Sequence, residues 1–238
     1  MNLYFYFLKF FPYYYRSECH QKLYTLDLYL VHQNIDLNKD SEIFVMFFPK
    51  SHILHLKNVV SKRECDNIIY YFESNTDIHS KGFTLNGFSD EEKKDTEIFC
   101  DFSKSNMSWI KEHLYIAIEK YKKTYPMVNK LSSWDLCPHY KIQRYNPSEG
   151  YFLLHCENPG IISKEPEMSK RVLAWMIYLN DVRNGGHTYF PEQKKKFQPR
   201  VGDILIWPAY FTHPHRGIVS KTETKYIISG WVSFNENY

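Results

Sequence analysis

The chain has 238 residues, 43% of them hydrophobic, and a formal net charge of +3, which is enough for one sizeable core and hardly enough for two large domains. Lysines cluster at Lys194, Lys195 and Lys196, which reads as a solvated turn, and no sustained basic stripe with interleaved aromatics offers itself to a nucleic-acid backbone. Five cysteines, Cys19, Cys65, Cys100, Cys137 and Cys156, form an odd and widely spaced set without a CxxC, which argues for reduced thiols and an intracellular compartment rather than a disulfide framework or a zinc ribbon.

The first stretch, MNLYFYFLKFFPYYY, is apolar, but Lys9 and Pro12 interrupt it well before the roughly 20 residues that a membrane span requires. A basic leader region and a small-residue cleavage site are both missing from it. Residues 1–48 therefore read as an N-terminal extension, with a secretory or membrane-associated role as the lesser alternative, and residues 49–238 as one domain.

Within that domain, 49–130 reads as a helical lead-in. HILHLKNVVS alternates like a strand, and Ser61 with Glu64 forms a capping box ahead of a helix. Cys65, Ile68, Ile69 and Phe72 then repeat at helical spacing, which predicts one buried stripe. Asn86, Gly87 and the charge run from Asp90 to Asp95 predict an exposed loop. Met107, Ile110, Leu114, Ile118 and Tyr121 mark a second amphipathic helix that ends before Pro126.

From 131 to 238 the character changes to short β-prone segments, HYKIQRY, YFLLH, RVLAWMIYLN, HTYF, DILIWP and KYIISGWVSF, broken by NPSEG, NPG, RNGG, QPRVGD and HRG. That spacing predicts an α+β, mainly β domain: a sandwich or barrel with the two helices packed along one sheet.

His155 and Glu157 stand two apart in YFLLHCENPG, and side chains at i and i+2 of an extended strand share a face. An isolated HxE is ordinarily a surface pair. Here WPAYFTHPHRG, 60 residues downstream, can supply a third ligand from a neighbouring strand. Two imidazoles and a carboxylate on one face of an octahedral ion leave three positions open, as in non-haem Fe(II) oxygenases; zinc uses the same residue types.

Residues 135 to 234 resemble the iron and 2-oxoglutarate dependent dioxygenases, specifically the prolyl 4-hydroxylase-like branch. The family pattern is an HxD, a distal His followed by xG, and a basic residue ten positions after that His. His215, Arg216 and Gly217 match the second part and Lys225 the third, whereas counting ten from His213 reaches Glu223. MIYLNDVRNGGHTYFPE and VGDILIWP resemble the family's segments before the distal histidine, and LKNVVSKRECDNIIYYFE its helical beginning. Glu157 departs from the usual aspartate, and its extra methylene must be retracted by backbone or rotamer. A thiol at Cys156 is open to oxidation if it faces the iron.

The resemblance implies a double-stranded β-helix, or jelly roll, with the helices outside it. It implies Fe(II) held by His155, Glu157 and His215, with 2-oxoglutarate, O2 and L-ascorbate as the other participants. It further implies that Lys225 takes the far carboxylate of 2-oxoglutarate, with Tyr178 as a second donor and Tyr145 seating the cosubstrate. Trp231, His213, Thr188 and Arg216 are expected to wall the pocket or meet substrate. The implied reaction hydroxylates a C–H bond, most simply of a peptidyl proline, with release of succinate and CO2. A small molecule or nucleobase as substrate, or a jelly roll that binds without turnover, are the alternatives. His213 and His215 together suggest a cupin only weakly, because Glu223 stands too far on. The triplet at Asn106 and the scattered His52, His55, His79 and His113 carry no chemistry in this reading.

Overall fold

The structure, a computed structural model, describes residues 50–104, 107, 109–160 and 166–235. The expected extension over 1–48, Cys19 and the triplet at Asn106 lie outside the described residues. In chain order the compact unit Ser51–Tyr238 carries β1 (Leu54–Leu56), α1 (Lys62–Ser74), β2 (Ser80–Lys81), β3 (Lys93–Lys94), β4 (Thr96–Asp101), α2 (Trp109–Thr124) and β5 (Trp134–Tyr145). There follow β6 (Gly150–Tyr151), β7 (Arg171–Tyr178), β8 (Thr188–Phe190), β9 (Lys195–Phe197), β10 (Ile204–Pro208), β11 (Arg216–Gly217) and β12 (Lys225–Phe234).

Both helices form where their local signals lie. The Ser61 side chain accepts from the Glu64 backbone N–H at 3.2 Å, and the Glu64 carboxylate accepts from the Ser61 N–H at 2.8 Å, so the capping box satisfies two orphan donors of α1. Cys65, Ile68 and Phe72 are buried from α1, and Ile110, Leu114, Ala117, Ile118 and Tyr121 from α2. Ser61→Ala should lower stability by about 1 kcal/mol. The check is a shift in urea midpoint at unchanged slope, and an unchanged midpoint would show that α1 is held by its packing alone.

The strands build a seven-stranded sheet in the order β1-β10-β7-β12-β5-β4-β2, opposed by a three-stranded sheet β11-β8-β9 and a two-stranded piece β3-β6. This is a jelly roll, α+β and mainly β. From Leu173 onward β7 shows how one strand serves two cores, since successive side chains point to opposite faces. Leu173, Trp175 and Ile177 join α1 and α2 in one apolar cluster, while Ala174, Met176 and Tyr178 join Phe190, Leu205, Trp207 and Ile227 in a second, inside the roll. The helices thus cover the outer face of the large sheet, and the inner face is free to hold a site.

Three expectations need correction. The large sheet takes β1, β2 and β4 from the lead-in, so the roll is not confined to 131–238. The charge run is not wholly an exposed loop: Lys93 starts β3 at 3% exposure and Asp95 is 5% exposed. Lys93 lies 2.8 Å from Glu97 and 3.3 Å from Asp95, and Lys141 lies 2.8 Å from Glu97, so opposite charges compensate one another where water is absent. YFLLH is not a continuous strand either. It leaves β6 at Tyr151, and His155 meets His215 in a single antiparallel bridge.

Candidate metal centre

The bridge brings the two histidines together through the backbone, with His155 N–H to the His215 carbonyl at 3.1 Å and the reverse bond at 2.9 Å. Glu157 is anchored two residues on, where its N–H donates to the Ala209 carbonyl at 3.0 Å. The three side chains then converge: Glu157 Oε1 lies 3.5 Å from His155 Nε2 and 3.3 Å from His215 Nε2. All three ligand atoms fall within 4.8 Å of one another. Ligands at about 2.1 Å from one ion cannot stand much farther apart than twice that, so the residues fit a shared metal.

Proton placement agrees with that fit. His155 Nδ1 donates to the Leu153 carbonyl at 2.9 Å and His215 Nδ1 to the His213 carbonyl at 3.0 Å. A carbonyl only accepts, so each Nδ1 carries hydrogen and each Nε2 presents its lone pair to the centre. Burial, aided by the nearby His155, lowers the His215 pKa and keeps the ring neutral. Burial acts to raise the Glu157 carboxyl, but the adjoining His155 and His215 outweigh it and hold the group well below the usual carboxylate range, an effect that needs a proton, or a cation in its place, between their Nε2 atoms and Oε1. A neutral imidazole and an ionised carboxylate are the forms that ligate.

Aromatic rings fix the imidazoles. Tyr151 stacks on His155 with centroids 3.8 Å apart, and His215 sits between Phe190 at 5.2 Å and the edge-on Trp207 at 5.0 Å. His213 stands outside the cluster. Its Nε2 donates to the Ser51 carbonyl at 2.8 Å and its Nδ1 pairs with the Thr212 hydroxyl at 2.9 Å, so both nitrogens are engaged and its part is to orient His215 through its own carbonyl. Cys156 turns its thiol to the Asn158 carbonyl. His55, His79 and His113 each have a protein partner away from the site, Asp203, the Phe72 carbonyl and Glu64.

Lys225, on the inner face of β12, is 5% exposed and donates to the Gly186 carbonyl at 3.2 Å. Gly185 and Gly186 have φ of 77° and 71°, a turn that suits glycine and aims that carbonyl at the ammonium. The ammonium also lies 4.6 Å over the Tyr145 ring. Burial pushes the Lys225 pKa down to about 8, although the Asp95 charge opposes it. A Cβ added to Gly217 would fall 3.6 Å from Lys225 Nζ, so the absence of a side chain there keeps the space before the ammonium clear.

Tyr145 is bound to Gln143 at 2.9 Å, and Gln143 in turn to Asp95 at 2.8 Å. Tyr178 donates its one proton to the Phe197 carbonyl at 3.2 Å and accepts from the Thr188 hydroxyl at 2.6 Å, so it ties β7 to the opposing sheet. Trp231 reaches the triad instead of Lys225, donating its indole N–H to Glu157 Oε2 at 2.8 Å. Arg216 is exposed on β11. Sequence reasoning did not find Tyr151, Arg171 or Asp95 as parts of the site, since no local spacing links them to the histidines.

Residues 140–233 match the family model described as the 2OG-Fe(II) oxygenase superfamily. A protein of Acanthamoeba polyphaga mimivirus, named provisionally as a prolyl 4-hydroxylase, is 32% identical over 103 residues, which are 38% of this chain and 43% of that protein. A viral collagen prolyl hydroxylase from Paramecium bursaria Chlorella virus-1, solved with 2OG, superposes with a TM-score of 0.54 at 18% identity over 77% of this chain and 97% of the other. A Trichoplax adhaerens prolyl hydroxylase, solved with a hypoxia inducible factor peptide fragment, gives 0.57 at 17% identity over 77% and 84%. Among the described residues no helix is long and apolar enough to cross a membrane. The sequence match, the jelly roll and the His155, Glu157 and His215 donor set agree: residues 140–233 are similar to the 2OG-Fe(II) oxygenase superfamily, and the fold is that of the prolyl hydroxylases above.

Proposed function

We propose that this chain is a 2-oxoglutarate-dependent dioxygenase that hydroxylates a C–H bond of a peptidyl proline. The observation that carries the reading is the pairing of the triad of His155, Glu157 and His215 with a buried ammonium, Lys225, in one roll. Iron(II), held by those three side chains, would supply the redox chemistry by which O2 and 2-oxoglutarate yield succinate, CO2 and a hydroxylated product. The protein's own part is to bind, orient and exclude water. His155 and His215 keep their Nε2 lone pairs directed inward because their Nδ1 protons are committed to carbonyls. Lys225 takes the far carboxylate by a charge-assisted hydrogen bond, which replaces the weaker one to Gly186. Gly217 leaves room for that carboxylate, and Tyr145 forms the wall behind the ammonium.

A peptide substrate is supported by the similarity to prolyl hydroxylases and by the apolar side chains exposed at Leu153 and Leu154, immediately before His155. Ascorbate would keep the iron reduced between turnovers. The test is incubation with Fe(II), 2-oxoglutarate and ascorbate against proline-rich peptides and a metabolite set. The expected result is succinate formed in step with a one-oxygen mass gain on a proline. Succinate coupled only to a metabolite would overturn the peptide assignment, and no succinate under any condition would overturn the enzyme reading in favour of a binding module.

A further inference from the structure

Glu157 stands where the family pattern has a shorter acid, and the structure shows where the extra length goes. The carboxylate is divided. Oε1 faces the two imidazoles at 3.5 and 3.3 Å, while Oε2 accepts the Trp231 indole N–H at 2.8 Å and lies 3.6 Å from the Arg171 guanidinium. Arg171 also donates to the Glu157 backbone carbonyl at 3.1 Å and stacks on the Trp231 ring at 3.7 Å. Neighbouring strands set this up: Trp231 pairs with Ala174 and Ser233 with Arg171 in the β12–β7 ladder, so both side chains project beside the same carboxylate.

We propose that Trp231, braced by Arg171, is a positioning residue that withholds Oε2 from the metal, so that Glu157 ligates through Oε1 alone. The physical need is specific to glutamate. Its carboxylate sits on one more rotatable bond than that of aspartate, and the free side chain can swing or offer both oxygens to an ion, which would consume one of the three positions that the chemistry requires. A charge-assisted hydrogen bond to one oxygen removes that freedom. An aspartate at 157 would withdraw its carboxylate by about one C–C bond, roughly 1.5 Å, beyond hydrogen-bond reach of the indole. The indole N–H therefore matters only while residue 157 is a glutamate.

The inference rests on the metal reading of the triad, and Co(II) serves as a probe that needs no turnover. Trp231→Phe keeps a ring for Arg171 and removes only the donor. Co(II) titration of this variant should show about 10–100-fold weaker binding, the range typical of lost outer-shell partners. The Co(II) absorption spectrum should change with it, while the metal-free melting temperature stays that of the wild type. In the Glu157→Asp background the same Trp231→Phe change should alter Co(II) affinity by less than about twofold, because the interaction it deletes is already gone. Arg171→Gln, with the indole N–H intact, should give a loss of the same direction and smaller size.

Wild-type affinity and spectrum in Trp231→Phe would overturn the proposal, and so would an undiminished loss in the Glu157→Asp background, which would mean the ring acts by packing. If Trp231→Phe fails to fold, an Arg171→Gln protein with unchanged Co(II) binding and spectrum overturns it. A wild-type chain that binds no Co(II) would instead remove the metal site itself.

Discussion

Replacing His215 with alanine is expected to weaken Fe(II) or Co(II) binding at least ~100-fold and to abolish turnover, while His213→Ala retains both. In structural zinc sites about 10–16 kcal/mol is shared among four ligands, roughly 3 kcal/mol each, so the loss of one of three protein ligands is expected to cost about two orders of magnitude. His215 presents a free Nε2 within 3.3 Å of Glu157 Oε1, and nothing else among the described residues stands in that position. His213 has neither nitrogen to spare, and the atom it lends to the site is its backbone carbonyl, which alanine also has. Its loss should cost stability through the bond to Ser51, not ligation. Calorimetric metal titration and succinate release measure the two variants side by side. An inactive His213→Ala beside an active His215→Ala would exchange their roles.

Lys225→Met is expected to raise the apparent Michaelis constant for 2-oxoglutarate more than tenfold, a loss of more than about 1.4 kcal/mol, with little change in metal affinity. Its second effect has the opposite sign and is read on the metal-free, cosubstrate-free protein. Folding lowers the Lys225 pKa from the ordinary 10.5 to about 8 because burial disfavours the charged form. The unfolded chain therefore binds more protons between those two values, so wild-type stability should rise with pH across that window and be fully recovered above it. Below pH 8 the folded protein carries the whole cost, on the order of 3 kcal/mol. Lys225→Met should thus stabilise the empty protein at pH 7, and the gain should shrink as pH rises toward 10.5. Urea unfolding at several pH values checks this. An unchanged Michaelis constant together with a destabilised empty protein would remove the main reason for placing 2-oxoglutarate at Lys225.

What the sequence by itself determined are the features whose causes lie a few residues apart. The capping box at Ser61 and Glu64 and the stripes of α1 and α2 are local, because a helix closes its own hydrogen bonds and declares its buried face by period. The family's spacing of ten from the distal histidine to a basic residue pointed to His215 over His213, and in the structure it is His215 that stands beside His155 and Glu157 while both nitrogens of His213 are engaged elsewhere. What only the tertiary structure decided depends on which strands lie side by side. Residues 90–95 look like a solvated run until β4 and β5 pair, bringing Lys141 to Glu97 and Gln143 to Asp95 and burying Lys93 among them. His155 and Glu157 share a site not because they lie in one strand but because a single bridge to His215 and a bond to Ala209 hold them. Trp231 shares a face with Lys225 by simple alternation, yet its donor goes to Glu157, 74 positions away. A contact across such a separation is made by the closure of the roll, where the register of β12 on β7 sets Trp231 and Arg171 against one carboxylate oxygen, and no spacing along the chain encodes that meeting.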